Sequence, residues 1–314
     1  MPNRIRFAFV LCLFLGLHLS ANAVAYPMRL PGVVQPTAYQ LELELDPNKS
    51  EHRGTVNITV QLKTSSQTLR LHGTGLRIES ARLDIGTRHY AAVARSLNEE
   101  LIELRFDEAV PAGKGQLKLA FHGKVNDKDT YGLFRQKSGD DWYAFTQFEA
   151  KGARQAFPNF DEPGYKVPWT LSLIVPQNLQ AVANTPVLHT IALANGRKRV
   201  AFKTTEPLPS YLLAFGVGAF DVIEAGELTG LSKGKKLRFI TPKGQGDRVR
   251  FAASVTAPLV AKLEEYFGMA YPYEKLDMMV LPISVGFGAM ENAGLITFRS
   301  SLMLAKPDEE TEDF

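Results

Sequence analysis

In YQLELEL, residues 39–45, apolar and polar side chains alternate without a break. Successive side chains of a β-strand point to opposite faces of the sheet, so this alternation gives one apolar face and one polar face. Tyr39 and the leucines are therefore predicted to lie on the buried face, and the glutamine and glutamates on the solvated face.

The same period of two recurs along the chain before residue 220. It is present in residues 56–62, 117–121 and 169–175, and Gly, Pro, Asn and Asp residues separate these short stretches. Short alternating strands between turn residues are typical of an antiparallel β-sandwich. We therefore predict a mainly β chain, with an N-terminal antiparallel β-sandwich domain over residues 26–222.

After residue 222 the pattern changes to a helical period. In DRVRFAASVTAPLVAKLEEYFG, residues 247–268, apolar side chains recur at helical spacing, which predicts a helix that stops at Gly268. These side chains are Phe251, Val255, Leu259, Leu263 and Tyr266. Pro258 predicts a kink or a late helix start. Strand-like stretches follow at 277–283 and 294–298, so residues 223–314 are predicted to begin an α+β domain.

Composition limits the kind of partner. The chain has 314 residues, of which 45% are hydrophobic and 22% are charged, as in an ordinary soluble globular protein. Its formal net charge is +3, and its lysines and arginines form no dense run. These values argue against nucleic acid, or an anionic membrane surface, as the main partner.

The N-terminal segment, residues 1–25, has the organisation of a secretory signal peptide. Arg4 and Arg6 precede the apolar run Phe7–Leu19, and small residues follow, so cleavage is predicted after Ala23 or Ala25. An uncleaved anchor is the less favoured alternative, because the run is shorter than the ~20 apolar residues that a membrane-spanning helix needs. We expect no stable membrane span after cleavage.

The single cysteine, Cys12, lies within this segment, so the mature chain would form no disulfide. An exported protein without cysteine fits a bacterial periplasm better than a disulfide-linked extracellular module.

The sequence lacks the common catalytic motifs. Its histidines are scattered and none forms H-E-x-x-H, and there is neither a G-x-S-x-G motif nor a P-loop. We therefore expect no zinc site, no acyl-serine chemistry and no nucleotide chemistry within these residues.

Two other stretches are informative: YAFTQFEAKGARQAFPNFDEPGYKVPWTLSL at residues 143–173, and GFGAMENAGLITF at residues 286–298. Together they resemble the aminopeptidase N family of zinc exopeptidases, the gluzincin aminopeptidases, whose signature G-A-M-E-N stands unaltered at residues 288–292. The resemblance implies a β-sandwich followed by a thermolysin-like catalytic domain, of which this chain would hold only the incomplete start.

The resemblance also implies a site for the free N-terminus of a peptide. Glu291 of the signature and Glu149 would be its two carboxylates, and Gln147 would lie beside the first side-chain pocket. A carboxylate pair suits this task, because an ammonium group carries one positive charge and three hydrogen-bond donors. Two carboxylates at one pocket repel each other until a cation binds between them.

The other signature residues are expected to contact the substrate as well. Small residues at Gly288 and Ala289 allow a peptide backbone to pair alongside them as an added strand. Met290 offers adaptable apolar surface, although core packing is an equally good interpretation for it. Asn292 completes the predicted substrate-binding set.

Asp161 and Glu162, in the sequence PNFDEP, resemble an acid pair. Adjacent residues point in different directions in most backbones, so we predict a structural role for this segment. Arg154 is expected to pair with a nearby acid in the same element.

The family's zinc-binding H-E-x-x-H follows its signature, whereas only 22 residues follow Asn292 here. The resemblance therefore implies zinc as the cofactor of the complete protein and peptides with a free N-terminus as partners. This chain alone is predicted to bind no catalytic zinc and to hydrolyse nothing. A catalytically inactive peptide-binding protein is the alternative. The leukotriene hydrolase branch is disfavoured, because it has glutamine at the position of Glu149 and Gly-Gly at the start of the signature.

Overall fold

The computed structural model describes residues 29–282 and 288–304. The predicted signal peptide, residues 1–25, lies outside the described residues. None of the described helices is long and apolar enough to cross a membrane.

Strands dominate the chain. The first fourteen are β1 (Val34–Glu44), β2 (Glu51–Leu62), β3 (Ser66–His72), β4 (Arg77–Ile85), β5 (Arg88–Ser96), β6 (Leu101–Val110), β7 (Gly113–Lys124), β8 (Gly132–Ser138), β9 (Asp141–Gln147), β10 (Trp169–Pro176), β11 (Gln180–Ala183), β12 (Val187–Leu193), β13 (Arg197–Phe202) and β14 (Phe215–Gly218). The last five are β15 (Phe220–Glu227), β16 (Lys236–Pro242), β17 (Lys275–Leu281), β18 (Ala289–Met290) and β19 (Leu295–Arg299).

The helices are α1 (Ala153–Ala156), α2 (Arg250–Phe267) and α3 (Ser300–Met303), with short 3₁₀ turns at Ser210–Leu212, Gly230–Ser232 and Gly246–Val249.

These strands form three sheets. The outer sheet has ten strands, in the order β12-β13-β10-β1-β2-β7-β4-β5-β6-β3. The middle sheet has four strands, in the order β11-β14-β9-β8, and the third sheet has five, in the order β15-β16-β17-β19-β18. The predicted mainly β fold class is confirmed. Parallel pairs β16–β17 and β17–β19 make the third sheet mixed.

One pairing in the outer sheet differs from the predicted antiparallel arrangement. β1, which contains the stretch YQLELEL, pairs in parallel with β10, and Tyr39 lies opposite Trp169. Parallel neighbours need a long crossover connection, and eight other strands separate β1 from β10 along the chain. Alternation alone predicts which residues are buried but not the direction of the neighbouring strand.

The middle sheet is buried on both faces. On one face Leu133, Ala144 and Phe215 belong to the large core shared with the outer sheet. On the other face Phe134 and Phe145 pack against residues of the third sheet, which include Ile240, Met279, Leu281 and Leu295. The chain is therefore layered, with the middle sheet between the other two.

Helix α2 ends as predicted. Gly268 adopts φ 67°, in the left-handed region, and its N–H bonds the carbonyl of Glu264. The helix begins at Arg250, so Pro258 lies inside it and the predicted late start is wrong.

The spacing of the large apolar residues in α2 did not predict which face of the helix is buried. Small residues on the helix, which include Ala252, Ala253 and Ala257, pack against a separate apolar cluster on the third sheet. This cluster includes Leu237, Phe239 and Val280. By contrast, Leu259 is 57% exposed and Tyr266 is 82% exposed. Alanines let a helix backbone approach a sheet closely, which explains why this face is turned inward.

A buried charge cluster lies inside the third sheet. Asp277 is fully buried and receives two hydrogen bonds from Arg238, at 2.8 and 2.6 Å. Lys275 contacts the same carboxylate at 2.7 Å. Burial lowers the pKa of Lys275 to about 8, because one carboxylate is shared between two cations and desolvation disfavours the second positive charge.

Tyr39 links β1 to the segment that precedes Asp161. Its ring stacks on Trp169 with centroids 3.9 Å apart, and its hydroxyl accepts a hydrogen bond from Phe160 N–H at 2.9 Å. The residue that opens the alternating stretch therefore also satisfies a buried backbone donor.

Tyr39→Phe should lower the free energy of unfolding by roughly 1–3 kcal/mol, because the buried N–H of Phe160 loses its acceptor. Urea denaturation measures the change. Tyr90→Phe is the matched control, since the Tyr90 hydroxyl is buried and has no hydrogen-bond partner among the described residues. We expect no loss for the control, and equal losses in the two variants would contradict this assignment.

Lys275 should make stability depend on pH in the alkaline range. The unfolded chain holds this proton up to a pKa near 10.5, whereas the folded chain releases it near pH 8. Between these values the unfolded state binds more protons, so the free energy of unfolding should rise with pH, by up to roughly 3 kcal/mol. Lys275→Met should remove this rise, as measured by denaturation at pH 7.5 to 10.

Lys236→Met serves as the control, because the ammonium group of Lys236 is exposed and pairs with Glu227. A pH profile that is identical in wild type and Lys275→Met would show that Lys275 does not titrate in this range.

Candidate substrate-recognition site

The predicted site residues begin at one edge of the middle sheet. β9 and β11 both pair antiparallel with β14, so they run in the same direction and end at the same edge. Gln147 is the last residue of β9, and Asn184 directly follows β11. Continuing the register places both residues opposite Ala214, about 10 Å apart across two strand spacings.

Gln147 carries an unsatisfied group at this edge. Its side chain is largely buried, and its Oε1 atom has no hydrogen-bond partner among the described residues. Buried polar atoms are nearly always paired, so an unpaired amide oxygen indicates a place for a ligand or water.

Glu149 projects from a tightly constrained turn. Gly152 N–H donates to the carbonyl of Phe148 at 2.7 Å, and Lys151 N–H donates to the Tyr131 hydroxyl at 3.0 Å. The peptide bond between Glu149 and Ala150 is cis. The two hydrogen bonds hold the turn backbone in place, while the Glu149 side chain is exposed.

A buried ion-pair network supports the segment after this turn. The guanidinium of Arg154 donates to Asp161 Oδ2 at 2.8 Å, to the Asp161 carbonyl at 2.9 Å and to Glu100 at 2.9 Å. Ser210 donates to the other oxygen of Asp161. The predicted pairing of Arg154 with a nearby acid is confirmed, and Asp161 is engaged in structure.

The signature residues form an edge strand. β18 is the last strand of the third sheet, and among the described residues it pairs with β19 alone. Arg299 N–H donates to the Gly288 carbonyl at 2.9 Å. Because alternate residues direct their backbone groups to opposite sides, the N–H and C=O of Ala289 point away from β19. Ala289 is also exposed. Its backbone groups are thus placed to pair with another extended chain.

The remaining signature residues differ in exposure. Met290 and Asn292 are buried, and the Asn292 amide donates to the Met290 carbonyl at 3.4 Å. Glu291 lies between them and is exposed. This alternation turns the carboxylate outward while its two neighbours hold the turn.

The loop after Glu291 is attached to the middle sheet. Asn184 Nδ2 donates to the Ala293 carbonyl at 2.8 Å. Glu291 is two residues from that contact, and Glu149 is two residues from Gln147. The structure therefore brings the loop bearing one predicted carboxylate and the turn bearing the other to the same edge of the middle sheet.

Neither carboxylate is neutralised within residues 29–282 and 288–304, since neither Glu149 nor Glu291 has an ion pair or a side-chain hydrogen bond there. Nor do the described residues contain a group of three or more His, Cys, Asp or Glu side chains that could hold a metal ion. These residues therefore do not fit a zinc site, although they leave two acids available to a small organic cation. The roles predicted for the seven site residues stay predictions.

Asn184 was not identified from the sequence. It stands in QAVANTPV, where an asparagine before Thr-Pro reads as an ordinary turn residue after a strand. Its partner Ala293 is 109 positions away, so no local pattern could reveal the contact.

Comparison with known proteins identifies the family. Residues 35–212 match the Peptidase M1 N-terminal domain, and residues 251–313 match the Peptidase family M1 domain. Aminopeptidase M1-A of Oryza sativa subsp. japonica is 33% identical over 296 residues, which cover 91% of this chain and 33% of that protein. Puromycin-sensitive aminopeptidase of Caenorhabditis elegans is 32% identical over 290 residues, which cover 89% of this chain and 30% of that protein.

Aminopeptidase N of Acetobacter pasteurianus is 29% identical over 292 residues, which cover 90% of this chain and 79% of that protein. The chain thus spans about a third of the length of the rice and nematode relatives. The resemblance found in residues 143–173 and 286–298 is confirmed by matches to both domain types, and the chain belongs to peptidase family M1.

Proposed function

We propose that this chain supplies the free-amine and backbone recognition groups of a zinc-dependent aminopeptidase that removes N-terminal amino acids from peptides. The observation that carries the proposal is that the turn bearing the exposed Glu149 and the loop bearing the exposed Glu291 lie at the same edge of the middle sheet, and that neither glutamate has an ion pair among the described residues. Membership of peptidase family M1 supports it, as does the similarity to aminopeptidases of rice and of Acetobacter pasteurianus.

The chemistry of recognition follows from charge. A peptide N-terminus is an ammonium group with three donors, and two carboxylates satisfy both its charge and its hydrogen bonds. Each contact at ~4 Å gives roughly 4 kcal/mol of gross attraction at an effective dielectric near 20, from which desolvation subtracts much. A peptide with a blocked N-terminus has no charge to offer, so the site selects free amines.

Backbone recognition would come from the edge strand. The outward N–H and C=O of Ala289 would pair with the substrate main chain, and Gly288 would leave space for it. Gln147, with its unpaired Oε1, would contact the substrate beside the first side chain. Together these groups would fix both the end and the direction of the peptide.

Zinc is the cofactor that we propose for a chain extended through the M1 catalytic domain. The described residues supply no metal-ligand group, so only recognition is derived from them. An inactive peptide-binding protein would use the same recognition groups without hydrolysis.

Glu149→Gln and Glu291→Gln should each lower kcat/KM by about 10- to 100-fold in a zinc-loaded chain of the length of its relatives, because each removes one charged hydrogen-bond acceptor. Steady-state kinetics with aminoacyl anilides measure this loss. Glu108→Gln is the control, since Glu108 is exposed on the outer sheet and pairs with Arg88. Unchanged kinetics in both site variants would refute the proposed function.

Purified residues 1–314, supplied with zinc, should not hydrolyse aminoacyl anilides, because the described residues lack both a metal-ligand group and its general base. The extended chain serves as the positive control under the same conditions. Robust zinc-dependent turnover by residues 1–314 would show that the catalytic groups lie within this chain.

A further inference from the structure

We propose that Asn184 is a positioning residue for amine recognition, which ties the loop after Glu291 to the sheet that carries Gln147 and Glu149. This inference rests on the proposed function, because it explains how two carboxylates from separate sheets keep a fixed separation.

The side chain of Asn184 is buried and fully hydrogen-bonded. Its Oδ1 accepts from Ala214 N–H at 2.7 Å, and its Nδ2 donates to the Leu212 carbonyl at 2.9 Å. Both bonds are made to the segment that leads into β14, the neighbouring strand of the middle sheet, and they set the orientation of the amide. The second Nδ2 hydrogen then reaches the Ala293 carbonyl at 2.8 Å, in the loop of the third sheet. An asparagine amide has two donor hydrogens, and both are used.

Backbone contact at the same point reinforces the link. Gly294 adopts φ 70°, and a Cβ there would overlap the Asn184 carbonyl oxygen. Glycine is therefore required both by the left-handed backbone and by the close approach. The loop and the end of β11 are in van der Waals contact, so their separation has little freedom.

The loop after Glu291 is also hydrogen-bonded to the third sheet, to which it belongs. Lys275 Nζ donates to the Gly294 carbonyl at 2.7 Å, and Asp277 N–H donates to it at 3.1 Å. These bonds fix the loop relative to β17, whereas the Asn184 bond fixes it relative to the middle sheet. Asn184 thus carries the connection between the two sheets at this loop.

The consequence concerns Glu291, which lies two residues before Ala293. If the Asn184 bond is lost, the loop can move while remaining attached to the third sheet. The distance between Glu291 and Glu149 would then vary, and a displacement near 1 Å is enough to weaken a two-point contact with one ammonium group.

The test is a double-mutant cycle in the zinc-loaded, extended chain. Asn184→Ala alone should lower kcat/KM for aminoacyl anilides by about tenfold, mainly through a higher KM. In the Glu291→Gln background the same substitution should change kcat/KM by less than about twofold, because the group that it positions has already been removed.

Thr205→Ala is the control for general destabilisation. Thr205 is buried in the outer-sheet region, and its hydroxyl accepts from Trp169 N–H at 3.0 Å, away from the Glu291 loop. We expect this variant to lower the melting temperature without raising KM.

Asn184→Leu is the second variant if Asn184→Ala folds poorly. It retains the approximate size of the side chain and places no charge beside the two carbonyls, but it has no hydrogen to donate to Ala293. It should show the same tenfold loss and the same dependence on Glu291.

Equal losses for Asn184→Ala in the wild-type and Glu291→Gln backgrounds would overturn the inference, as would no loss in either. The proposed function fails separately, if Glu149→Gln and Glu291→Gln themselves leave the kinetics unchanged.

Discussion

Burial of the middle sheet on both faces determines where polar side chains can be placed in this protein. Tyr143, Phe145 and Val182 face the third sheet, while Ala144 and Phe215 face the outer sheet. A sheet enclosed in this way has no polar face, so polar side chains can reach solvent or each other only where its strands end. Gln147 and Asn184 lie at such an edge, which explains why the candidate site is there.

Two buried and two exposed acidic residues of the chain differ in their hydrogen-bond partners. The Asp161 carboxylate accepts hydrogen bonds from Arg154 and Ser210, and the Asp277 carboxylate accepts two from Arg238. Buried charges are costly without partners, and these arrangements meet that requirement. Glu149 and Glu291 are exposed on constrained turns and unpaired among the described residues. The contrast favours a recognition role for these two acids, because their turns are held by hydrogen bonds and the part of the chain that the structure describes supplies no counter-ion for them.

Much of the fold could be predicted from the sequence, and the features that could not be predicted have physical explanations. The alternation around Tyr39 correctly predicted a half-buried strand, and the spacing from Phe251 to Tyr266 correctly predicted a helix that ends at Gly268. The inward face of that helix was not predictable from its large apolar residues, because alanines pack against the sheet. The parallel pairing of β1 with β10 was also out of reach, since strand direction depends on partners that are distant in the chain.

The candidate site, too, could be predicted only in part from the sequence. The sequence alone shows an unaltered G-A-M-E-N stretch and a second glutamate in TQFEAKGAR. Short motifs of this kind can be identified without knowledge of the structure. The sequence also placed both in peptidase family M1, as the comparisons confirm. That Glu149 and Glu291 approach one sheet edge depended on the folded chain, because 142 positions separate them. The elements that carry them are linked by the hydrogen bond from Asn184 to Ala293, which forms only when the middle and third sheets have packed together.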